Sequence, residues 1–497
     1  MHISTSKTPR RIDLSVERMR IFLKVGRWLL TVAVTAVLSV TLATALADRR
    51  MSDLSPEHRV VFEQEFTASQ EQEVDWQAYR AIEDRLAIEL GEKIDPDGRP
   101  DSFVDRYSEN SLTYPGNFTT NWNHSYELTA TSAKGVAVLL HGLSDSPYSM
   151  RSTAQTLFDA GYNVVVPRMP GHGFAAGGLL GARWEDWAAA VRIAVRHAAE
   201  LPGADESFVL AGYSNGGLMA IDFALRCDED PELPCPDGLI LFSPAIAVTR
   251  LAVITNWHTL LSWMPYFEKS KWLSILPEVD PFKFTSFPKR AAWEIYKLST
   301  GTYKQLQQPA EAARLPPILT FQSIVDNTVS TAAIVTNLYS RLPANGSELV
   351  VYDVNRNSTI LHLMDSVPID PATWLEAAAP LPYGVTVIKN RSRQGPEIDL
   401  MSLAAGATTP VTGTTDMVWP EGFYSMSHIA VPFRADDPVY GDGSTADEGE
   451  RRLVFGNLAP RGEEGVLRLK SAYFLRTRYN PFFSYQAEHL QDWLSRL

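Results

Sequence analysis

The sequence predicts an α/β fold with a mostly parallel central sheet, and three observations predict it. From Ser125 onward, short β-rich runs alternate with helical patterns. Two of those runs lead into glycine-bearing turns, His141-Gly142 and Gly212-Tyr213-Ser214-Asn215-Gly216. Hydrophobic residues at 45% and charged residues at 21% describe a chain that buries a core rather than one that stays disordered.

The predicted core strands are 136–140, 163–167, 207–211, 238–243, 318–323 and 348–354, and the segments between them read as crossover helices. Two stretches interrupt that rhythm. Residues 246–313 carry Trp257, Trp263, Tyr266, Phe267, Trp272, Phe282, Phe284, Trp293 and Tyr296 between two core strands, and read as an inserted helical cap. Residues 355–421 read as a second insertion, with a strand at 385–389 and a Gly/Thr-rich turn region over 404–415. A final helix is expected near 481–497.

Ahead of this body, residues 28–47 hold no charge, and 20 helical residues at ~1.5 Å each match a hydrocarbon core of ~30 Å. Lys7, Arg10, Arg11, Arg18, Arg20, Lys24 and Arg27 precede the apolar run against only Asp13 and Glu17. The positive-inside rule therefore keeps residues 1–27 in the cytoplasm and exports the remainder. A single-pass membrane anchor with an extracytoplasmic domain is the expectation; a signal peptide cleaved after Ala45-Leu46-Ala47, or a buried core helix, are the alternatives. Residues 48–124 mix charge, Pro and Gly around a helical stretch at 76–90, and read as a stalk and N-terminal extension to a domain spanning 125–497.

The formal net charge of −13 argues against a nucleic-acid partner, since phosphate contacts need clustered Lys and Arg. Cys227 and Cys235 are the two cysteines, in a polar loop with neither zinc-site nor CxxC spacing. They are either a small disulfide staple or two unrelated thiols, the staple being favoured by an oxidising compartment.

The chemistry centres on Ser214. A G-x-S-x-G match alone is weak, but here Phe208-Val209-Leu210-Ala211 runs into it as a buried strand and Gly217-Leu218-Met219-Ala220-Ile221 leaves it as an apolar helix. That strand, tight turn and helix make a nucleophile elbow, whose glycines permit a strained serine backbone and close approach of neighbouring segments. Upstream, the strand at 136–140 ends in His141-Gly142-Leu143, so the backbone N–H groups of Leu143 and Asn215 are the expected oxyanion donors. The His141 side chain is expected to hold that loop by hydrogen bonds.

The motifs HGLSDSPYSMR, PRMPGHG, the tryptophans of RWEDW, and GYSNGG follow one another in the order found in α/β-hydrolases of the monoglyceride-lipase and lysophospholipase type. Residues 125–354 and the C-terminal segment resemble that family. The resemblance implies an α/β-hydrolase fold, a serine nucleophile, and an acid in the loop after the strand at 318–323. Asp326 occupies that loop; Asp353 is the runner-up, and a helix N-cap is the plain alternative for Asp326. With the order Ser, acid, His, the base is His362, His428 or His489. His428, in a polar loop ahead of the final helix, is preferred; His362 looks like a core histidine, His489 a structural one, and His172 precedes the nucleophile.

This machinery uses no metal or organic cofactor. It fits carboxylic ester hydrolysis, with a small-molecule or lipid-derived ester such as a monoglyceride or lysophospholipid as substrate. A thioesterase or aminopeptidase-like relative shares the same parts, and an inactive hydrolase-fold scaffold of the cell envelope is the reading from another class. The cap aromatics either line an acyl pocket or form the cap's own core. The sequence does not fix the oligomeric state.

Overall fold

The computed structural model describes residues 14–94, 102–246, 265–326, 328–364, 369–375, 380–445, 453–456 and 475–497. The described chain divides into two compact units, one of residues 1–53 with 257–271 and one of residues 54–256 with 272–497. The first unit contains helix α1 (Leu14–Asp48), in which the window Phe22–Ser39 has a mean hydropathy of 1.5 and no buried share. It is long and apolar enough to cross a membrane. Close to it in this unit, Lys269 bonds Asp53 at 2.7 Å.

The second unit is organised by a ten-stranded sheet. In chain order its strands are β1 (Tyr126–Leu128), β2 (Gly135–Leu140), β3 (Tyr162–Val166), β4 (Phe208–Tyr213) and β5 (Gly238–Phe242). A two-stranded hairpin of β6 (Trp272–Ser274) and β7 (Phe287–Pro288) stands apart. The sheet continues with β8 (Ile318–Ser323), β9 (Glu348–Tyr352), β10 (Gly384–Asn390), β11 (Glu397–Leu403) and β12 (Val411–Val418). The spatial order is β1-β3-β2-β4-β5-β8-β9-β10-β11-β12. Strands β3 through β10 run parallel, while β1, β11 and β12 pair antiparallel to their neighbours.

The six sequence-predicted strands are all present, each within two residues of its expected ends. Their near-continuous Val, Ile and Leu content reflects burial on both faces: every residue of β2, β3, β4, β5 and β8 is buried. Helices α2 (Trp76–Ile94), α3 (Arg151–Asp159), α4 (Trp184–Ala199), α5 (Asn215–Ala224), α6 (Lys289–Leu306) and α7 (Phe483–Leu494) include the crossovers and the covering layer. The chain goes from β2 outward to β3 and returns on the other side of β2 as β4, so the order reverses between β2 and β4. In open parallel sheets that reversal opens a crevice at the carboxyl ends of the strands.

Three expectations change. Of residues 48–124, read as a stalk and N-terminal extension, the described residues 54–94 and 102–124 belong to the same unit as the sheet, and Phe66, Tyr79 and Leu86 are fully buried. The second insertion adds three strands to the sheet edge, the first of them the strand expected at 385–389. The region expected as turn over 404–415 becomes strand from Val411, because β12 obtains its hydrogen bonds from β11 although nearly every side chain is exposed. Of the cap, Trp257 and Trp263 lie outside the described residues, and Tyr266 and Phe267 belong to the first unit. Trp272, Phe282 and Phe284 are buried in the body; Phe282 stacks on Tyr148 at 4.1 Å and Trp272 meets His58 edge-on at 5.1 Å. Cys227 and Cys235 form a disulfide, with Cα atoms 5.2 Å apart.

Candidate active site

Ser214 sits between the last residue of β4 and the first of α5, with φ 53° and ψ −111°. A non-glycine residue adopts that backbone only when its surroundings impose it. Here the imposition is visible: the Ser214 N–H donates to Phe242 O on β5 at 2.9 Å, and Ser214 O accepts from Ala245 N at 3.0 Å. The flanking glycines are required by space. A Cβ on Gly216 would lie 2.0 Å from Leu140 O, and one on Gly212 would lie 2.3 Å from the Gly216 backbone. The turn thus presses α5 against the end of β2.

His428 and Asp326 meet across 102 residues of sequence. Nδ1 of His428 donates to Asp326 Oδ2 at 2.6 Å. Asp326 follows β8, and its other oxygen, Oδ1, accepts the N–H groups of Thr328 and Val329, both at 2.8 Å. Gln322 Nε2 adds a bond to Oδ2 at 3.2 Å. Burial alone would raise the Asp326 pKa; the adjacent His428 and these donors outweigh it and hold the carboxyl below its ordinary value. The N-cap role considered for Asp326 falls to Ser330, whose side chain accepts from Ala333 N.

The placement of His428 explains how a histidine so far along the chain reaches this point. Asn355, just past β9, donates its N–H to Tyr424 O at 2.7 Å and its Nδ2 to Phe423 O at 3.0 Å. The intervening strands β10, β11 and β12 leave and return at the same spot. A short strand β13 (Phe423–Met426), paired with β14 (Leu475–Thr477), then delivers His428. Ser323 Oγ on β8 fastens it further by donating to Met426 O at 3.1 Å.

The other candidates stand elsewhere. His362 is exposed and its ring bonds the carbonyl of Ser358 in its own helical turn. His489, on α7, bonds Glu348 at 2.7 Å. Asp353 is buried and pairs with Arg356. His172 lies in the loop after β3, its ring 5.0 Å from that of His141, and burial drives its pKa well down.

Beside Ser214, the ring of Tyr213 packs 5.2 Å from that of His428. Asn215 opens α5 directly after Ser214, and Leu143 follows the end of β2, whose Leu140 O and His141 O close on Gly216 of the same turn. His141 is fully buried, and burial lowers its pKa to about 3, so its ring is neutral. Sequence reading missed Asp145, which is buried within the same loop. Its pKa is raised by burial against the pull of Lys283, whose Nζ lies 2.8 Å from Asp145 Oδ1. Lys283 comes from the stretch read as cap, so nothing in the local pattern announced the pair.

A strand order with a reversal beside β2, an elbow serine after β4, and an Asp–His pair after β8 and β13 define an α/β-hydrolase. Residues 131–356 match the family model described as serine aminopeptidase, S33. A thermostable monoacylglycerol lipase of Bacillus sp. (strain H-257) is 28% identical over 115 residues, 23% of this chain and 42% of the lipase. The match thus spans less than half the length of that relative. Among solved structures, a Paleococcus ferrophilus monoacylglycerol lipase is 18% identical with a TM-score of 0.35, covering 46% of this chain and 89% of its own. A soluble variant of the Saccharomyces cerevisiae monoglyceride lipase is 14% identical with a TM-score of 0.37, over 46% and 82%.

Proposed function

We propose that this hydrolase cleaves carboxylic esters through an acyl-enzyme on Ser214, outside the cytoplasm and tethered by α1. The observation that carries the reading is the 2.6 Å bond from His428 Nδ1 to Asp326, which leaves the lone pair on Nε2 of a ring packed against Tyr213, the residue before Ser214. In the first step His428 takes the Ser214 proton as Oγ attacks the acyl carbon, and Asp326 steadies the imidazolium. The oxyanion develops against the N–H groups of Leu143 and Asn215. His428 then gives its proton to the leaving alcohol, activates water, and the acyl-enzyme is hydrolysed.

A lipid-derived ester of monoglyceride or lysophospholipid type is the proposed substrate, supported by the monoacylglycerol lipase relative and by an apolar helix suited to hold the enzyme at a bilayer. The basic residues ahead of the uncharged run at 28–47 orient the hydrolase to the far side, and the Cys227–Cys235 disulfide suits an oxidising compartment. The test is turnover of monoacylglycerols and p-nitrophenyl esters with acyl chains of two to sixteen carbons. Rising kcat/KM with chain length supports the lipid substrate; preference for acetyl esters refutes it. The serine aminopeptidase description of the family model favours a second reading, peptide hydrolysis, which predicts release of arylamine from aminoacyl anilides.

A further inference from the structure

Residues 54–124 lie outside the matched family region, yet they hold the loop that stands behind the oxyanion donors. Arg168, after β3, is fully buried. Its Nη2 and Nη1 donate to Glu65 Oε1 and Oε2 at 2.8 and 3.0 Å, and its Nε donates to Glu83 Oε1 at 3.3 Å. Both carboxylates come from the N-terminal segment, Glu83 on α2. The grip extends to the backbone: Glu65 Oε2 accepts the Gly171 N–H at 2.8 Å, and Tyr79 Oη donates to Arg168 O. Ser125 completes the cluster, with its N–H on Glu83 Oε2 at 2.8 Å and its Oγ accepting the Arg168 N–H at 2.7 Å.

The next residue carries the connection forward. The Met169 N–H donates to His141 Nε2 at 2.9 Å, which makes that nitrogen an acceptor and puts the ring proton on Nδ1. Nδ1–H in turn lies 2.9 Å from Gly142 O and donates to it. Gly142 O and Leu143 N–H belong to one peptide group, and in a trans peptide they point in opposite directions. Fixing the carbonyl therefore fixes the direction of the Leu143 N–H.

We infer that Glu65 and Glu83 are positioning residues for the oxyanion site: through Arg168, the Met169 peptide and His141 they set the orientation of the Leu143 N–H. This rests on the acyl-enzyme reading for its kinetic consequence, but not for the hydrogen-bond relay itself. The N-terminal segment is then a working part of the hydrolase rather than a spacer.

The test uses the full chain and the near-isosteric variants E65Q, E83Q and the double variant, with p-nitrophenyl butyrate as substrate. The double variant is expected to lose ~10- to 100-fold in kcat, less than the ~10²- to 10³-fold that outright loss of one oxyanion donor costs, with KM within about twofold. A second readout, hydrogen exchange at the Met169 and Leu143 amides, is expected to quicken at least tenfold. H141N, which keeps a donor near Nδ1, is expected to retain more activity than H141A. Unchanged exchange at both amides in a cooperatively folded double variant overturns the relay. Faster exchange in the variants, together with a wild type that never turns over ester, would leave the relay standing and refute only the hydrolytic reading. If the double variant does not fold, the single variants and the H141N and H141A pair decide.

Discussion

Replacing Asp326 by Asn tests the pair at the centre of the site, and the surrounding bonds dictate how the amide must sit. Oδ1 of Asp326 accepts two backbone N–H groups, from Thr328 and Val329, both at 2.8 Å. An Asn side chain must keep its carbonyl oxygen there, because turning the NH₂ toward two N–H donors would bury unmatched donors at ~1–3 kcal/mol. The NH₂ group therefore replaces Oδ2, 2.6 Å from His428 Nδ1. A donor at that position forces Nδ1 to accept, which places the imidazole proton on Nε2, where it can no longer take one from Ser214. The volume is unchanged and no charge is left unpaired on Asp326. The fold should survive while kcat falls by ~10³- to 10⁴-fold, as expected when a catalytic histidine is held in the wrong tautomer. Initial rates on a p-nitrophenyl ester, with circular dichroism and a thermal melt as controls, make the assay. D326N retaining more than a tenth of wild-type kcat would refute the argument.

H362A should leave kcat/KM within twofold and stability within about 0.5 kcal/mol, since His362 is exposed and its ring bonds Ser358 O within its own turn; a large activity loss would reinstate it as base. G216A should fold poorly, because the new Cβ would sit 2.0 Å from Leu140 O; a chemical-unfolding loss well below about 3 kcal/mol would show that the elbow can relax. Acidification should weaken the fold through histidines held neutral by burial. His141 and His124 have pKa values lowered from 6.5 to about 3 and about 4, so the stability they contribute is complete above pH 6.5 and is lost as pH falls toward those values. His172 acts in the same direction, whereas Glu83, raised by burial from 4.5 to about 7, stabilises as pH falls across that interval. Each histidine withdraws up to about 1.4 kcal/mol of stability per pH unit, opposed by the carboxyls that burial raises, Glu83 and Asp145 among them. Urea titrations at a series of pH values that show a flat profile would contradict this.

The sheet was legible because strands buried on both faces, such as β2 and β4, write continuous apolar runs into the sequence. The elbow was legible because steric demands at Gly212 and Gly216 leave no choice of residue. Asp326 was readable from its place after β8. His428 was harder: the sequence gives chain order, but only the Asn355 bonds to Phe423 and Tyr424 reveal that three strands loop out and return. β12 escaped because its side chains are exposed on both faces, so VTGTTDMV carries no alternation and its strand character comes from β11. Phe282 and Phe284 announced hydrophobic burial but not which body they would pack into. The Glu65–Arg168 pairing, 103 residues apart, had no local signature at all.

The central claim is that Ser214 is a nucleophile activated by His428, and covalent trapping addresses it most directly. Wild-type protein, S214A and H428A would be exposed to a fluorophosphonate and digested, and the adduct located by mass spectrometry. The account predicts one stoichiometric adduct on Ser214 in the wild type, none in S214A, and labelling slowed by at least a hundredfold in H428A. Labelling of H428A at the wild-type rate, or a wild-type adduct on any other serine, would contradict it.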